Sequence, residues 1–347
     1  MDTTILLFLL QDGLTSGAIY ALLGLALVLV FTVTRIIFIP QGEFVAYGAL
    51  TLAMFDAGRV PGTAWLGLVF AITASICELW TERGRFGARR LLASVAGTTA
   101  LPLLAAVAAL VAAPMHPPSW LAVLLTLAII VPMGPNLYRI AFRPLADSSV
   151  LTLLIASVGV HFAMTGLGLV FFGAEGMRAK PLLDITAPLG PLVVTGQTMF
   201  IYAATVTAMA ALAVFFGRTL HGKALVATAM NRLGARLVGV RTDYSGSLAF
   251  ALAALIGALS GVLIAPMTTI YYDTGFLIGL KGFIAAIIGA LASYPATAAA
   301  ALAIGVIEAF ASFFASNYKE VIVFTLIIPV LLWLSLTPGH ADAEEEH

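Results

Sequence analysis

The sequence predicts an all-α, polytopic transmembrane helical bundle of about ten to eleven spans, some of them broken or re-entrant. Three observations lead there. Of 347 residues, 61% are hydrophobic and only 10% are charged, against roughly 25% charged in an ordinary soluble domain. The apolar residues come in long blocks such as Leu14 to Val33, which carries no charge; a span needs about 20 such residues to cross ~30 Å of hydrocarbon. The basic residues cluster between blocks rather than scattering, as the positive-inside rule requires of a membrane protein.

Taken in order, the apolar blocks are 5–33, 40–58, 63–80, 91–113, 119–137, 148–172, 198–216, 245–268, 276–292, 294–316 and 320–336. The basic clusters are Arg83, Arg85, Arg89 and Arg90; then Arg139 with Arg143; then Arg218, Lys223, Arg232, Arg236 and Arg241. Counting across the blocks puts all three on one side, which is expected to be cytoplasmic. The N-terminus then lies outside and the acidic tail 337–347 inside. The segment 173–197 becomes the longest external loop, with Pro181, Pro188, Gly190, Pro191 and Gly196 to fold it. The whole chain reads as one membrane domain. Met1-Asp2-Thr3-Thr4 lacks the positive flank of a cleaved signal.

Equal numbers of basic and acidic residues, seventeen each, give no broad basic face for nucleic acid. The one cysteine, Cys77, sits in an apolar run and forms no intrachain disulfide; no Cys/His spacing suggests a metal. Gly217 to Lys223 has the spacing of a phosphate-binding loop, but Ala224 stands where magnesium needs Ser or Thr, and an apolar span precedes it where a strand is required.

Polar residues inside apolar blocks mark where a solute would pass or helices would be glued. At Pro40-Gln41-Gly42-Glu43, Pro40 interrupts a helix, Gly42 permits a turn, and Glu43 opens a new apolar helix, whose start carries free amides and partial positive charge. This is either a discontinuity touching a polar solute or an ordinary inner-face loop, and the span count places it near the inner face. Lys281 lies among Leu280, Phe283 and Ile284 in a glycine-punctuated block; it either faces a cavity or partner, or snorkels to the outer surface. Glu308 sits mid-block with no local partner and belongs to a polar cluster, structural or solute-facing. His161 reads as a packed polar residue. Gly13, Gly17 and Gly24 form one stripe and Gly257 with Gly261 another, spacings that let helices approach closely.

Residues 218–243 form a long basic-side loop. From Gly222 to Val240, apolar residues recur at three- and four-residue steps with charges between them. Such a helix presses into a partner's groove or lies on the bilayer.

These pieces together resemble the permease subunits of branched-chain amino-acid ABC importers, the LivH type. The resemblance is carried by Gly13 to Leu27, Gly42-Glu43 with Tyr47-Gly48-Ala49, Arg143-Pro144-Leu145 and Leu154 to Gly159, the loop Gly222 to Gly239, Ala265-Pro266, Gly279 to Phe283, and Gly305 to Phe310. It covers most of the chain outside 80–135, which looks expanded around Pro114 to Pro118. Where the family reads Asn-Phe-Ala-His-Gly-Glu, this chain has Phe38-Ile39-Pro40-Gln41-Gly42-Glu43. The resemblance implies a multi-pass protein of the bacterial inner membrane with no cofactor of its own. It implies two ATPase subunits holding ATP and magnesium, a second permease subunit, homologous or identical, and a periplasmic solute-binding protein. It assigns docking to Arg218, Lys223, Asn231, Arg232, Arg236 and Gly239, and translocation to Gln41, Gly42, Glu43 and Lys281; Glu308 joins these as an intramembrane carboxylate. The competing readings are a self-sufficient secondary carrier or channel, which would use Glu43 and Glu308 and need no docking loop, and a membrane enzyme, for which no nucleophile-base constellation appears.

Overall fold

The computed structural model describes residues 3–81, 88–189, 192–326, 328–330 and 332; Arg83, Arg85, the end of the last apolar block and the acidic tail 337–347 lie outside the described residues. The helices are α1 (Thr3–Thr34), α2 (Gln41–Asp56), α3 (Gly62–Thr81), α4 (Ala88–Ala112), α5 (Ser119–Ile130), α6 (Met133–Leu137), α7 (Val150–Phe172), α8 (Gly196–Arg218), α9 (Leu220–Met230), α10 (Arg232–Leu237), α11 (Thr242–Ile264), α12 (Thr274–Ile288), α13 (Tyr294–Phe314) and α14 (Lys319–Thr325). Eight helical segments among the described residues are long and apolar enough to span a membrane, one of them the near-continuous run Ser119–Leu145. The polytopic helical bundle is therefore as the sequence predicts. One departure from an all-α chain lies in the 173–197 loop, where β1 (Thr186–Leu189) and β2 (Leu192–Thr195) pair as an antiparallel hairpin, Thr186 opposite Thr195.

Of the eleven apolar blocks, eight contain the long segments, 320–336 is described only in part, and two form helices too short to span. Block 40–58 becomes α2, of 16 residues, and block 276–292 becomes α12, of 15 residues. At 1.5 Å per residue these reach about 24 and 22 Å, short of a bilayer core. Both begin inside the bundle. Gln41 donates from Nε2 to the Ala253 carbonyl at 2.9 Å, and Ala253 is the midpoint of α11. Glu43 lies beside His161, near the midpoint of α7. The far end of α2 reaches the 173–197 loop, where the Lys180 amide donates to Asp56 at 2.8 Å. The inner-face placement of Pro40 to Glu43 is thus corrected: the segment sits at mid-depth.

The chain is drawn inward after α1 by aromatic burial. Phe38 is fully buried, with ring centroids 4.7 Å from Phe250 and 5.9 Å from Phe44 and Phe142. Arg35, at φ 60°, makes the reversal, and the Ile39 amide donates to Ser157 at 3.0 Å. Phe142 closes a π-helical turn, Tyr138–Phe142, at the end of the 119–145 run.

Alpha-carbon contacts fix the centre. At the start of α2, Gly42 lies backbone to backbone against Gly275 and Gly279 of α12, and a Cβ on either Gly42 or Gly275 would overlap the other's carbonyl. The glycine stripes act as packing faces: Gly13 and Gly17 of α1 meet Gly305, Val306 and Leu302 of α13, while Gly257 and Gly261 of α11 meet Gln41, Phe44 and Val45. Helices α1 and α2 are buried over most of their length. Helices α4, α7 and α8 turn large apolar residues outward, Leu104, Phe162 and Val206 among them. The segment 80–135 contributes α4 and α5, a helical hairpin on the flank against α3.

Adding one methyl at the centre is expected to cost more than at the periphery. Gly42→Ala and Gly305→Ala should each destabilise by about 1–3 kcal/mol or more through overpacking, whereas Gly159→Ala, with nothing within 4 Å of its Cβ position, should be neutral. Thermal melts of the three variants in detergent check this.

Candidate translocation site and docking loop

Gln41 and Glu43 occupy the first turn of α2, with Pro40 at its N-cap and no side-chain cap. The sequence folds this way because proline is tolerated only at a helix start and Gly42 lets α12 approach. Glu43 is completely buried. His161 Nδ1 lies 3.0 Å from its Oε1, yet neither Glu43 oxygen has a partner of hydrogen-bonding geometry, and Gln41 Oε1 has none. The 3.0 Å contact therefore has the distance but not the angle of a hydrogen bond. The His161 ring stacks on Phe276, centroids 4.5 Å apart, at the first turn of α12. A buried acceptor without a donor costs about 1–3 kcal/mol, so this centre holds acceptors for which the protein supplies few donors. A cavity of about 90 Å³ adjoins it, lined by Leu27, Phe38, Ile39, Phe276, Gly279, Leu280 and Phe283. That is below the ~300–1,000 Å³ of a small-molecule site. His161, read from sequence as mere packing, is the residue whose place was missed; its single in-block polarity was the available signal.

Lys281 does not snorkel. It is 4% exposed, and Nζ lies 2.5 Å from Glu308 Oε1 and 3.2 Å from Glu320 Oε1. Tyr20 donates to Glu308 Oε2 at 2.7 Å. Glu308 therefore has partners, all distant in sequence, and the cluster ties α12 to α1, α13 and α14. Helix α12 thus serves two centres: Gly275, Phe276 and Gly279 face α2, while Lys281 faces Glu308. The predicted residues Gln41, Gly42 and Glu43 come together in one centre, and Lys281 and Glu308 in the other.

The 218–243 loop is not one helix. Asn231 leaves helical geometry at φ −152° and splits it into α9 and α10. Its side chain caps α10, accepting from the Gly234 amide at 2.8 Å, as Thr219 caps α9 through the Gly222 amide at 2.9 Å. Arg232 donates from Nη1 to the Ala146 carbonyl at 2.8 Å. Arg236 donates to Thr242 Oγ1 at 2.9 Å and lies 3.8 Å from Asp147. Gly239, at φ 90°, turns the chain into α11. Of the residues expected to meet a partner, Arg232 and Arg236 tie the loop to residues 146–147 and 242, Asn231 and Gly239 shape it, and Arg218 and Lys223 are exposed. What the loop presents outward is apolar: Leu220, Met230, Leu233, Leu237 and Val238 are 69–83% exposed. Gly217 to Lys223 bridges the end of α8 and the start of α9.

Breaking the Lys281 cluster one-sidedly leaves a buried charge. Lys281→Met should cost about 3–5 kcal/mol, and Lys281→Met combined with Glu308→Gln clearly less; a double-mutant cycle read by thermal melts measures the coupling.

Comparison with known proteins gives the family. The sequence matches the family described as branched-chain amino acid transport system / permease component over residues 92–331. It is 30% identical over 206 residues to the high-affinity branched-chain amino acid transport system permease protein LivH of Escherichia coli, covering 57% of this chain and 67% of that protein. The corresponding BraD protein of Pseudomonas aeruginosa is 26% identical over 338 residues, 93% of this chain and 92% of that one. The autoinducer 2 import system permease protein LsrC of Yersinia enterocolitica is 28% identical over 148 residues, 40% of this chain and 38% of its own. No solved structure matches. A chain whose described residues form a polytopic helical bundle, and that matches the family over more than half its length, belongs to the permease components of the branched-chain amino acid transport systems.

Proposed function

We propose that this chain is the membrane-spanning subunit of an ABC importer for branched-chain amino acids or related small solutes. A periplasmic binding protein delivers the solute, two separate ATPase subunits holding ATP and magnesium drive its passage, and a second permease subunit completes the pathway.

The observation that carries this reading is the meeting of α2 and α12 at mid-depth. Discontinuous helices whose starts point at one spot are how transporters present polar groups to a solute inside a membrane. A zwitterionic amino acid has complementary chemistry. Its ammonium group would supply the donors that Glu43 and the Gln41 carbonyl oxygen lack. Its carboxylate would meet first-turn amides, and an apolar side chain would lie against Phe38, Leu27 and Phe276. In this reading Glu43 and His161 trade their poorly aligned contact for one with the solute when the path opens.

The docking role moves from the arginines to the apolar surface. Leu233, Leu237 and Val238 are placed to enter an ATPase groove in the helix-in-groove manner, while Arg232 and Arg236 keep the loop in register with residues 146–147. Motion of the ATPases would reach α11 through the Arg236–Thr242 bond, and α11 carries Ala253, the acceptor of Gln41.

The test is uptake of labelled leucine into proteoliposomes holding the permeases, the ATPases and the binding protein. Glu43→Gln should lower uptake about tenfold or more, the loss of one hydrogen bond to a charged group, with ATPase co-purification unchanged. Leu233→Asp with Leu237→Asp should abolish co-purification and with it ATP-driven uptake. Uptake by the chain alone without ATP would replace this reading with a secondary carrier.

A further inference from the structure

The basic end of the bundle holds a cavity that translocation does not use. It measures about 740 Å³ and runs from the Gly239 turn along the first turns of α11 to Ala251. A second cavity of about 310 Å³ adjoins it and shares Arg139, Arg143, Arg236 and Asp243 with it.

Its charge is one-sided. Arg139, Arg143, Arg236 and Arg241 line the larger cavity against Glu78 and Asp243, two positive charges in excess among the described lining residues. The ion pairs of Arg139 with Glu78 and of Arg236 with Asp147 are long, 3.4 Å and 3.8 Å. Well-formed charge-assisted hydrogen bonds run about 2.7–2.9 Å. Arg241 makes no ion pair among the described residues and lies 5.7 Å over the Tyr244 ring. Arg139 and Arg236 are also anchored by hydrogen bonds to Thr98 at 3.0 Å and Thr242 at 2.9 Å, but a planar guanidinium carries five N–H donors, so donors remain for contact with phosphate oxygens.

Its polarity is zoned. The arginines stand at the mouth, whereas the deeper wall is Pro135, Leu248 and Ala251. Ala251 lies about 14 Å along α11 from Thr242 at the helical rise, a depth that belongs to hydrocarbon. A soluble phosphate would fill the mouth and leave that wall bare. We infer that this cavity binds an anionic phospholipid of the basic-side leaflet, its phosphate among Arg139, Arg236 and Arg241 and its acyl chain along Leu248 and Ala251. Basic pockets between spanning helices on the cytoplasmic side take such headgroups. Because Arg236 and Arg241 flank the Gly239 turn, the lipid would brace the docking loop from behind.

The experiment uses the full chain in nanodiscs of phosphatidylcholine, with or without phosphatidylglycerol, read by thermal melting and by native mass spectrometry of retained lipid. Wild type should keep phosphatidylglycerol selectively and melt several degrees higher with it. Arg241→Gln should cut retained phosphatidylglycerol about fivefold, and adding Arg236→Gln about fivefold again. Lys180→Gln, at the opposite end of the bundle, should retain it fully. The melt of each variant in phosphatidylcholine alone reports folding independently. Equal retention by the double variant and wild type would overturn the assignment. Inorganic phosphate or ATP reproducing the shift in phosphatidylcholine would move the site to a soluble anion and overturn the lipid. Loss of ATPase co-purification with lipid retention intact would give the cavity to a protein partner, overturning it also. Lipid retention and melting are read without transport, and the Arg241→Gln variant leaves the Arg236–Thr242 bond in place, so the transport reading is tested separately by leucine uptake.

Discussion

A helix that stops half-way through a bilayer leaves its first-turn amides without water to satisfy them, which is why such ends occur only where protein or a cavity surrounds them. Here two of them are pressed together. Gly42 and Gly275 touch backbone to backbone, and everything nearby depends on that contact. It positions Gln41 against α11 and Glu43 against α7. It also sets the height at which α12 must run, which in turn brings Lys281 to Glu308. Only glycine at both positions permits it, since either Cβ would occupy the other's carbonyl.

The two polar centres on α12 differ in kind. In the Lys281 cluster Glu308 is satisfied, receiving a donor on each oxygen, from Lys281 and Tyr20. It behaves as a clasp between helices. The Glu43 centre is under-satisfied, with three buried acceptor oxygens lacking partners among the described residues. Low-dielectric surroundings make the first arrangement rigid and the second costly. In the transport role proposed for this chain both would have a use: a fixed half-helix, and a site whose missing hydrogen bonds a passing solute would complete.

The docking loop shows the same division between frame and contact. Arg232 and Arg236 bond back to residues 146, 147 and 242, while five apolar residues turn outward. On a soluble surface five exposed apolar side chains in one loop would be a liability; in the docking role proposed for this loop they would mark where a partner sits. The arginine cavity behind the loop lies where the bundle, the loop and the membrane surface meet.

Much of this was written in the sequence. The apolar blocks, the clustering of arginines and the glycine stripes determined a polytopic helical bundle, because each rests on a local property: run length, side-chain charge, or helical spacing. The break at Pro40 to Glu43 was also legible, since proline and glycine act on their own backbone. Depth was not. Whether block 40–58 crosses the membrane or begins at its middle depends on where Phe38 finds aromatic partners at positions 44, 142 and 250, and no local pattern encodes that. Nor could sequence tell that Glu308 meets Lys281, that Glu43 meets His161, or that Arg232 and Arg236 face inward. These are pairings across 27, 118, 86 and 89 positions of chain, and only tertiary packing decides them, because the energy of a buried charge is set by its neighbours in space.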